Sequence, residues 1–128
     1  MLALLKEATK YLEQTGVGSI QRTLFYGTMP ASPIGVTVVT AEGGVRSSIE
    51  TGLRTPSVQV LVRDKDFDVA AARADKVFGA LDNKWNVLQT IRGRFMADTL
   101  PGVYFKDANE YYVFSLNFNL VTTIANTL

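Results

Sequence analysis

Residues 54–81 constrain the fold most, because their hydrophobic period changes from two to 3.6 within a few positions. The apolar residues of the first part alternate along an extended segment: Val58, Val60 and Val62. After Asp66 the apolar positions recur at steps of three and one as far as Leu81, which is typical of an amphipathic helix. Asp66 is placed to cap this helix, and Asp68 adds negative charge at the positive end of the helix dipole. The stretch therefore predicts a strand leading directly into a helix that covers a sheet.

The rest of the chain is interpreted as elements that extend or cover this unit. Helical spacing predicts a first helix over residues 2–14, with Gly16 as its C-cap residue. Strands are predicted over residues 20–26, 34–40, 85–91, 94–97, 103–106 and 112–120. The strand at 85–91 returns either parallel or antiparallel to the first. We expect one α+β domain over residues 1–128, a mixed, mainly antiparallel sheet with two helices packed on one face and the other face free.

Residues 41–56 interrupt this pattern with three glycines and no sustained period. An ordered domain rarely keeps a structureless segment of this length without using it, so we interpret the segment as a projecting, binding loop. A short hairpin is the alternative.

Composition excludes much enzyme chemistry, because the chain has no cysteine and no histidine. Disulfides, thiolate nucleophiles, histidine-ligated metals and histidine bases are therefore ruled out. The aspartates at 64, 66 and 68 resemble the start of a calcium loop, but Val69 stands where that loop needs glycine, so a helix cap is the simpler interpretation. We predict no cofactor, no metal and no enzymatic activity. Without an apolar run of about 18 residues, no membrane association is expected.

Two further features leave alternatives open. Arg92 and Arg94 lie on one side of a predicted strand, and with Arg46 and Arg54 beside the loop they could face phosphate. At a net charge of +1, solvated or salt-bridged arginines are the better interpretation. The aromatics Tyr112, Phe114 and Phe118 could stack on bases. Because they alternate with polar residues on a strand that helices must cover, packing in the core is the better interpretation.

Several local phrases resemble the tail terminator and minor-capsid family of long-tailed bacteriophages. They are LFYGTMPASP at 24–33, TAEGG at 40–44, TGLRTPSVQVLVR at 51–63, the helix beginning FDVAAARADKVFGAL, and the hairpin KDANEYYVFSLNF at 106–118. Together they span most of the chain. Two positions depart from the family's usual pattern: Thr55 replaces an aromatic residue before Pro56, and the closing loop has Ala108-Asn109 without a glycine.

The resemblance implies a structural protein of the virion with no reaction of its own. It implies a homo-oligomer, a ring of six copies, that caps the tail tube protein, meets the head-completion or neck protein, and lets DNA pass through a central opening. The polar sheet face and the loop would make the ring and tube contacts, through Glu42, Gly43, Gly44, Arg46, Glu50 and Arg54. Arg92 and Arg94 would be the DNA-channel contacts.

The resemblance also implies a location at the tail–neck junction of the virion, after assembly in the host cytoplasm. Two alternatives remain at this stage. The first is a head–tail connector at another station of the same virion, and the second, from a different class, is a small nucleic-acid-binding module.

Overall fold

In a computed structural model the structure describes residues 2–45, 53–98 and 102–123, with side chains for 2–41, 56–98 and 102–121. Two helices and seven strands follow one another along the chain. They are α1 (Leu2–Gln14), β1 (Leu24–Tyr26), β2 (Val36–Val45), β3 (Leu53–Asp64), α2 (Phe67–Leu81), β4 (Lys84–Trp85), β5 (Arg94–Ala97), β6 (Tyr104–Lys106) and β7 (Tyr112–Thr123).

The seven strands form one mixed sheet in the order β1-β2-β3-β7-β5-β4, and β6 pairs with β7 beside β5. Only β1 and β2 run parallel among the described pairs; every other pair is antiparallel. The two longest strands, β3 and β7, pair at the centre over most of their length. The predicted α+β fold is confirmed.

Both helices lie on the same face of the sheet, and the core lies between them and the central strands. The residues of β3 and β7 that face the helices are almost fully buried: Val58, Val60, Val62, Phe114, Leu116, Phe118 and Leu120. They meet in register, with Val60 opposite Leu116 and Val62 opposite Phe114. From α2, Ala70 and Ala74 contact this surface, since their small side chains allow close approach. The predicted assignment of buried faces on both strands is confirmed.

The helix boundaries also follow the sequence pattern. Asp66 caps α2, because its Oδ1 accepts hydrogen bonds from the backbone N–H groups of Asp68 at 2.9 Å and Val69 at 3.3 Å. At the end of α1, Gly16 has φ +85°, in the left-handed region that glycine adopts without strain. The Nζ of Lys76 donates to the carbonyl oxygen of Gly16 at 2.9 Å and so ties the two helices together.

The predicted strand at 85–91 is wrong. Only Lys84–Trp85 is strand, and it pairs antiparallel with β5. Asn83 and Asn86 both have positive φ, and the N–H of Asn86 donates to the carbonyl oxygen of Gly93 at 2.7 Å, which closes a loop over 86–93. Leu88 in this loop is buried in the core, so its apolar pattern reflects a packed loop and not a ladder.

Two other predicted strands have shifted boundaries. Residues 20–23 form a turn, because Ser19 accepts backbone hydrogen bonds from three residues and Gln21 has φ 66°; the strand begins only at Leu24. The predicted strand at 34–40 starts later, at Val36, and continues to Val45. The segment 41–56 has strand at both described ends, which is the hairpin alternative, and its tip at 46–52 lies outside the described residues.

Candidate assembly interface

A ladder of polar side chains crosses the sheet face opposite the helices, which we call the open face. Thr40 of β2 lies opposite Gln59 of β3, and its Oγ1 donates towards the Gln59 oxygens at 3.4 Å. The Nε2 of Gln59 continues the ladder by donating to Ser115 Oγ at 2.9 Å. Three central strands therefore present one connected polar surface.

A second polar chain lies closer to the β4–β5 side of the open face. Ser57 Oγ donates to Asn119 Oδ1 at 2.7 Å, and the Asn119 amide donates in turn to Asp98. Between the two chains, the Oδ1 of Asn117 is enclosed and has no hydrogen-bond partner in the part of the chain that the structure describes. An enclosed acceptor of this kind gains free energy when a donor reaches it.

The β2 side of the open face is covered by the chain itself. Arg63 is 7% exposed, and its Nη2 donates to the carbonyl oxygens of Pro30 at 2.7 Å and Pro33 at 2.9 Å. Its Nε donates to Ile34 at 2.9 Å. The segment 30–34 is thus fixed over this corner, where Val36, directly opposite Arg63, is fully buried. The free open face is consequently narrower than the sequence predicts.

The predicted ring and tube contacts divide between described and undescribed parts of the chain. Glu42, Gly43 and Gly44 lie in β2, at a β-bulge where the register with β3 shifts between Glu42 and Val45. Bulges increase twist and re-aim a strand. Arg54 lies in β3 opposite Thr122 of β7. Arg46 and Glu50 lie outside the described residues. The four backbone positions are therefore brought to one end of the sheet, and their interface role stays a prediction.

The predicted DNA-channel arginines lie together at the opposite edge of the sheet from β1. Arg92 is exposed in the 86–93 loop, and Arg94 is half-buried at the start of β5. The Arg94 Nε donates to Asn83 Oδ1 at 2.7 Å, and its guanidinium lies 5.4 Å from the centre of the Trp85 ring. Neither arginine forms a salt bridge within the described ranges. Their charge therefore remains available to a partner.

The aromatic residues of β7 are not a base-stacking surface. Phe114 is 4% exposed and Phe118 is fully buried, both beneath the helices. The interpretation of these side chains as core is confirmed.

Sequence reasoning missed the apolar side chains that the fold leaves in solvent. Near β4 they are Trp85 and Met96, and near β6 and the start of α2 they are Phe67, Val69, Val103, Tyr104 and Phe105. One signal was present in the sequence, because three successive large apolar residues at 103–105 cannot all face the core of a strand with period two.

Among the residues whose side chains the structure describes, two titratable groups have shifted pKa values, and both lie at helix contacts. Partial burial alone would raise the pKa of Glu7, but hydrogen bonds from the hydroxyl and backbone N–H of Thr90 outweigh it and lower the pKa. Burial raises the pKa of Tyr11, whose hydroxyl donates to the carbonyl oxygen of Ala80 at 2.8 Å. Glu7 thus ties α1 to the 86–93 loop, and Tyr11 ties it to α2.

Neither a cluster of metal-ligating side chains nor a membrane-spanning helix occurs in the described part of the chain. No group of three or more acidic side chains converges there in a way that could hold a metal. Neither described helix is long and apolar enough to span a membrane.

The family model described as "Bacteriophage tail terminator protein" matches residues 11–124. The chain belongs to the bacteriophage tail terminator family. Tail terminator proteins are structural components of the phage tail, so the match favours an assembly role for the surfaces above. The matched range begins inside α1 and includes all seven strands.

Solved structures with the same fold include a component of a virion particle. A chain of the "Virion of native gene transfer agent (GTA) particle" superimposes with a TM-score of 0.70 at 17% sequence identity, covering 94% of each chain. No curated protein sequence matches the chain.

Proposed function

We propose that this protein forms a ring of six copies on the last ring of the tail tube, ends tube growth and offers a surface for joining the head. The observation that carries the proposal is the family match over residues 11–124. A tube built from equivalent head-to-tail contacts has no intrinsic end, so a different protein must occupy the last interface. The action is geometric and involves no reaction, and the protein works in the virion after assembly in the host cytoplasm.

Three surfaces of this domain suit such a role. The paired strands β2 and β3 supply ring and tube contacts. Their candidate residues are Glu42, Gly43, Gly44 and Arg54, together with Arg46 and Glu50 from the sequence between the two strands. The polar open face meets the tail tube protein or the neck protein. Arg92 and Arg94 face the DNA channel. Two arginines per copy make few phosphate contacts, so they attract passing DNA but bind it weakly.

The test is a phage whose gene carries an amber codon at Gln14, grown without suppression and viewed by electron microscopy. We expect tails of abnormal and variable length beside filled heads. Growth on a strain that inserts glutamine at the amber codon is the matched control and should restore uniform tails.

Two other outcomes would assign a different role. Uniform free tails of normal length would reject termination in favour of a head–tail connector, because joining would then fail after correct termination. Intact infectious particles would remove the protein from virion assembly. Sedimentation gives an independent check, because six copies of the 14.0 kDa chain make a particle of about 84 kDa.

A further inference from the structure

Most of the exposed large apolar side chains in the described part of this domain lie near the two ends of α2; Leu2 and Tyr26 are the others. Phe67 begins the helix, and Trp85 follows its last residue by four positions. A helix of 15 residues is about 22 Å long, which separates the two places by most of the width of the domain. We call them the acidic end, around Phe67, and the basic end, around Trp85, for the charges described below.

The acidic end carries a cluster of aromatic rings that the fold holds in place but does not cover. Phe67 lies edge-on to Tyr104 at 5.2 Å and to Tyr112 at 5.4 Å, so the rings are fixed by one another. Nevertheless Phe67 is 39% exposed and Tyr104 is 48% exposed. Phe105 pairs with Val113 and lies on the opposite face of β6, outside this cluster. Within the described strands β6 pairs only with β7, so this apolar edge is open.

Carboxylates without cationic partners surround this cluster. They come from the start of α2 and from the β6–β7 turn: Asp66, Asp68, Asp107 and Glu110. Asp66 and Asp107 accept only backbone hydrogen bonds, and none of the four forms a salt bridge within the described residues. Lys65 and Lys106 are the cations at this end, and Lys106 lies over the Tyr112 ring at 5.0 Å. The end is therefore net negative.

The basic end repeats the arrangement with the opposite charge. Trp85 is 64% exposed, Met96 is 41% exposed, and both lie on the open face beside Arg94. The cations there are Lys84, Arg92 and Arg94, and none has a salt bridge in the described part of the chain. Two carboxylates also lie there, Asp82 and Asp98, which accept hydrogen bonds from the backbone N–H of Ala97 and the side-chain amide of Asn119. Three cations against two carboxylates leave this end net positive by one charge.

We propose that the basic end of one copy docks on the acidic end of the next copy, so that Trp85 and Met96 meet the exposed rings of Phe67 and Tyr104. The contact rests on the proposed ring and adds a second contact between neighbouring copies to that of the β2–β3 segment. Aromatic residues, methionine and arginine are the types enriched in protein interfaces, and complementary charge at the rim fixes register and partner.

The occupant is a second copy because one chain carries both halves of the complementary pair. A head-to-tail contact uses each end once per copy, and a closed ring then leaves neither end without a partner, with Arg92 and Arg94 at the rim of each contact beside the channel. A two-fold contact would instead place like charges against each other, which is unfavourable.

Charge reversal at either end tests the contact. One variant, Lys84→Glu with Arg92→Glu, makes both ends acidic; the other, Asp68→Lys with Glu110→Lys, makes both ends basic. The matched control is Lys10→Glu with Arg22→Glu, which reverses two exposed cations on α1 and in the turn before β1. Circular dichroism confirms folding, and sedimentation at low ionic strength, where screening is weak, measures association.

We expect each end variant alone to self-associate at least about tenfold more weakly than the wild type. An equimolar mixture should recover oligomers, because the two variants alternate around an even-numbered ring with every contact complementary. The control should behave as the wild type. Oligomers that form unchanged in both variants, or a mixture that recovers nothing, would overturn this docking while leaving a ring intact. A wild type that stays monomeric at every concentration would overturn the ring as well.

Cross-linking supplies a second measurement that does not depend on charge. Because the chain has no cysteine, Trp85→Cys with Tyr104→Cys in one chain introduces the only thiols. Oxidation should yield a ladder of multimers that ends at the closed ring. Trp85→Cys alone should stay uncrosslinked, and a disulfide dimer from that single variant would show a two-fold contact and refute the head-to-tail arrangement.

Discussion

Replacing Arg63 by alanine should destabilise the domain more than any other change of a polar residue on the open face. Its guanidinium donates three hydrogen bonds of 2.7 to 2.9 Å to backbone carbonyl oxygens at Pro30, Pro33 and Ile34. A hydrogen bond from a charged donor contributes about 1.5–3 kcal/mol, and an enclosed acceptor left unpaired costs about 1–3 kcal/mol. Removing three such bonds would therefore suggest a large loss in the free energy of unfolding.

Two effects reduce this figure. The segment 30–34 can move outward and expose its carbonyl groups to water, and removal of a buried charge recovers part of its desolvation cost. We expect a net loss of about 2–4 kcal/mol in the free energy of unfolding. With a slope of about 3 kcal/mol per molar in guanidinium chloride, the unfolding midpoint should fall by about 1 M.

The assay is equilibrium unfolding in guanidinium chloride, followed by circular dichroism. Arg73→Ala is the matched control, because that side chain is 22% exposed and has a single salt bridge, of 3.4 Å, to Asp64. This substitution should lower the free energy of unfolding by less than about 1 kcal/mol. Arg63→Lys should fall between the two, since one ammonium group cannot reach all three carbonyl groups. Equal midpoints for Arg63→Ala and Arg73→Ala would refute the reasoning.

Two further predictions concern the core and the α1 contact. Val60→Asp should leave the domain unfolded, because it places an unpaired charge at a fully buried position. Gln59→Asp on the open face should be tolerated. If both variants lose the same amount of circular dichroism signal, the assigned strand faces are wrong. Glu7→Gln should destabilise the domain at neutral pH. Because the folded pKa of Glu7 is lowered, its stabilisation is present above the ordinary glutamate pKa of about 4.3 and is lost as pH falls through the folded pKa. The unfolding midpoints of wild type and Glu7→Gln should therefore converge as the pH falls below the folded pKa of Glu7, and a constant gap would speak against the carboxylate contact with Thr90.

Local pattern determined the parts of this protein whose structure depends on neighbours in the chain. The helix at Phe67–Leu81, its cap at Asp66 and the buried side of β7 all follow from spacing alone. A helix or strand with one apolar face has a single way to bury it, so periodicity is enough to assign both the element and its face. The resemblance to tail terminators likewise rested on phrases that span these elements, and the family match agrees with it.

Tertiary contacts decided the elements whose partners are distant in the chain. The stretch 85–91 alternates like a strand, yet the backbone N–H of Thr90 donates to the carboxylate of Glu7, 83 positions earlier. Asn83 and Asn86, both with positive φ, also turn the backbone away from strand pairing. Arg63 likewise sits among the polar positions of its strand, but a segment about 30 residues earlier in the chain buries it. Neither contact has a signature within any short window of sequence.

The opposed charges of the two ends were also beyond the reach of sequence. A net charge of +1 indicates no global preference for a charged partner, and the sequence suggested a local charged surface only around the arginines. Packing of Phe67 on Tyr104 brings the β6–β7 turn beside the start of α2, and the length of α2 keeps Lys84 and Arg92 at the far end. Composition determines how much charge a chain carries, whereas only the folded chain decides where it lies, because charges distant in sequence become neighbours through contacts between apolar side chains.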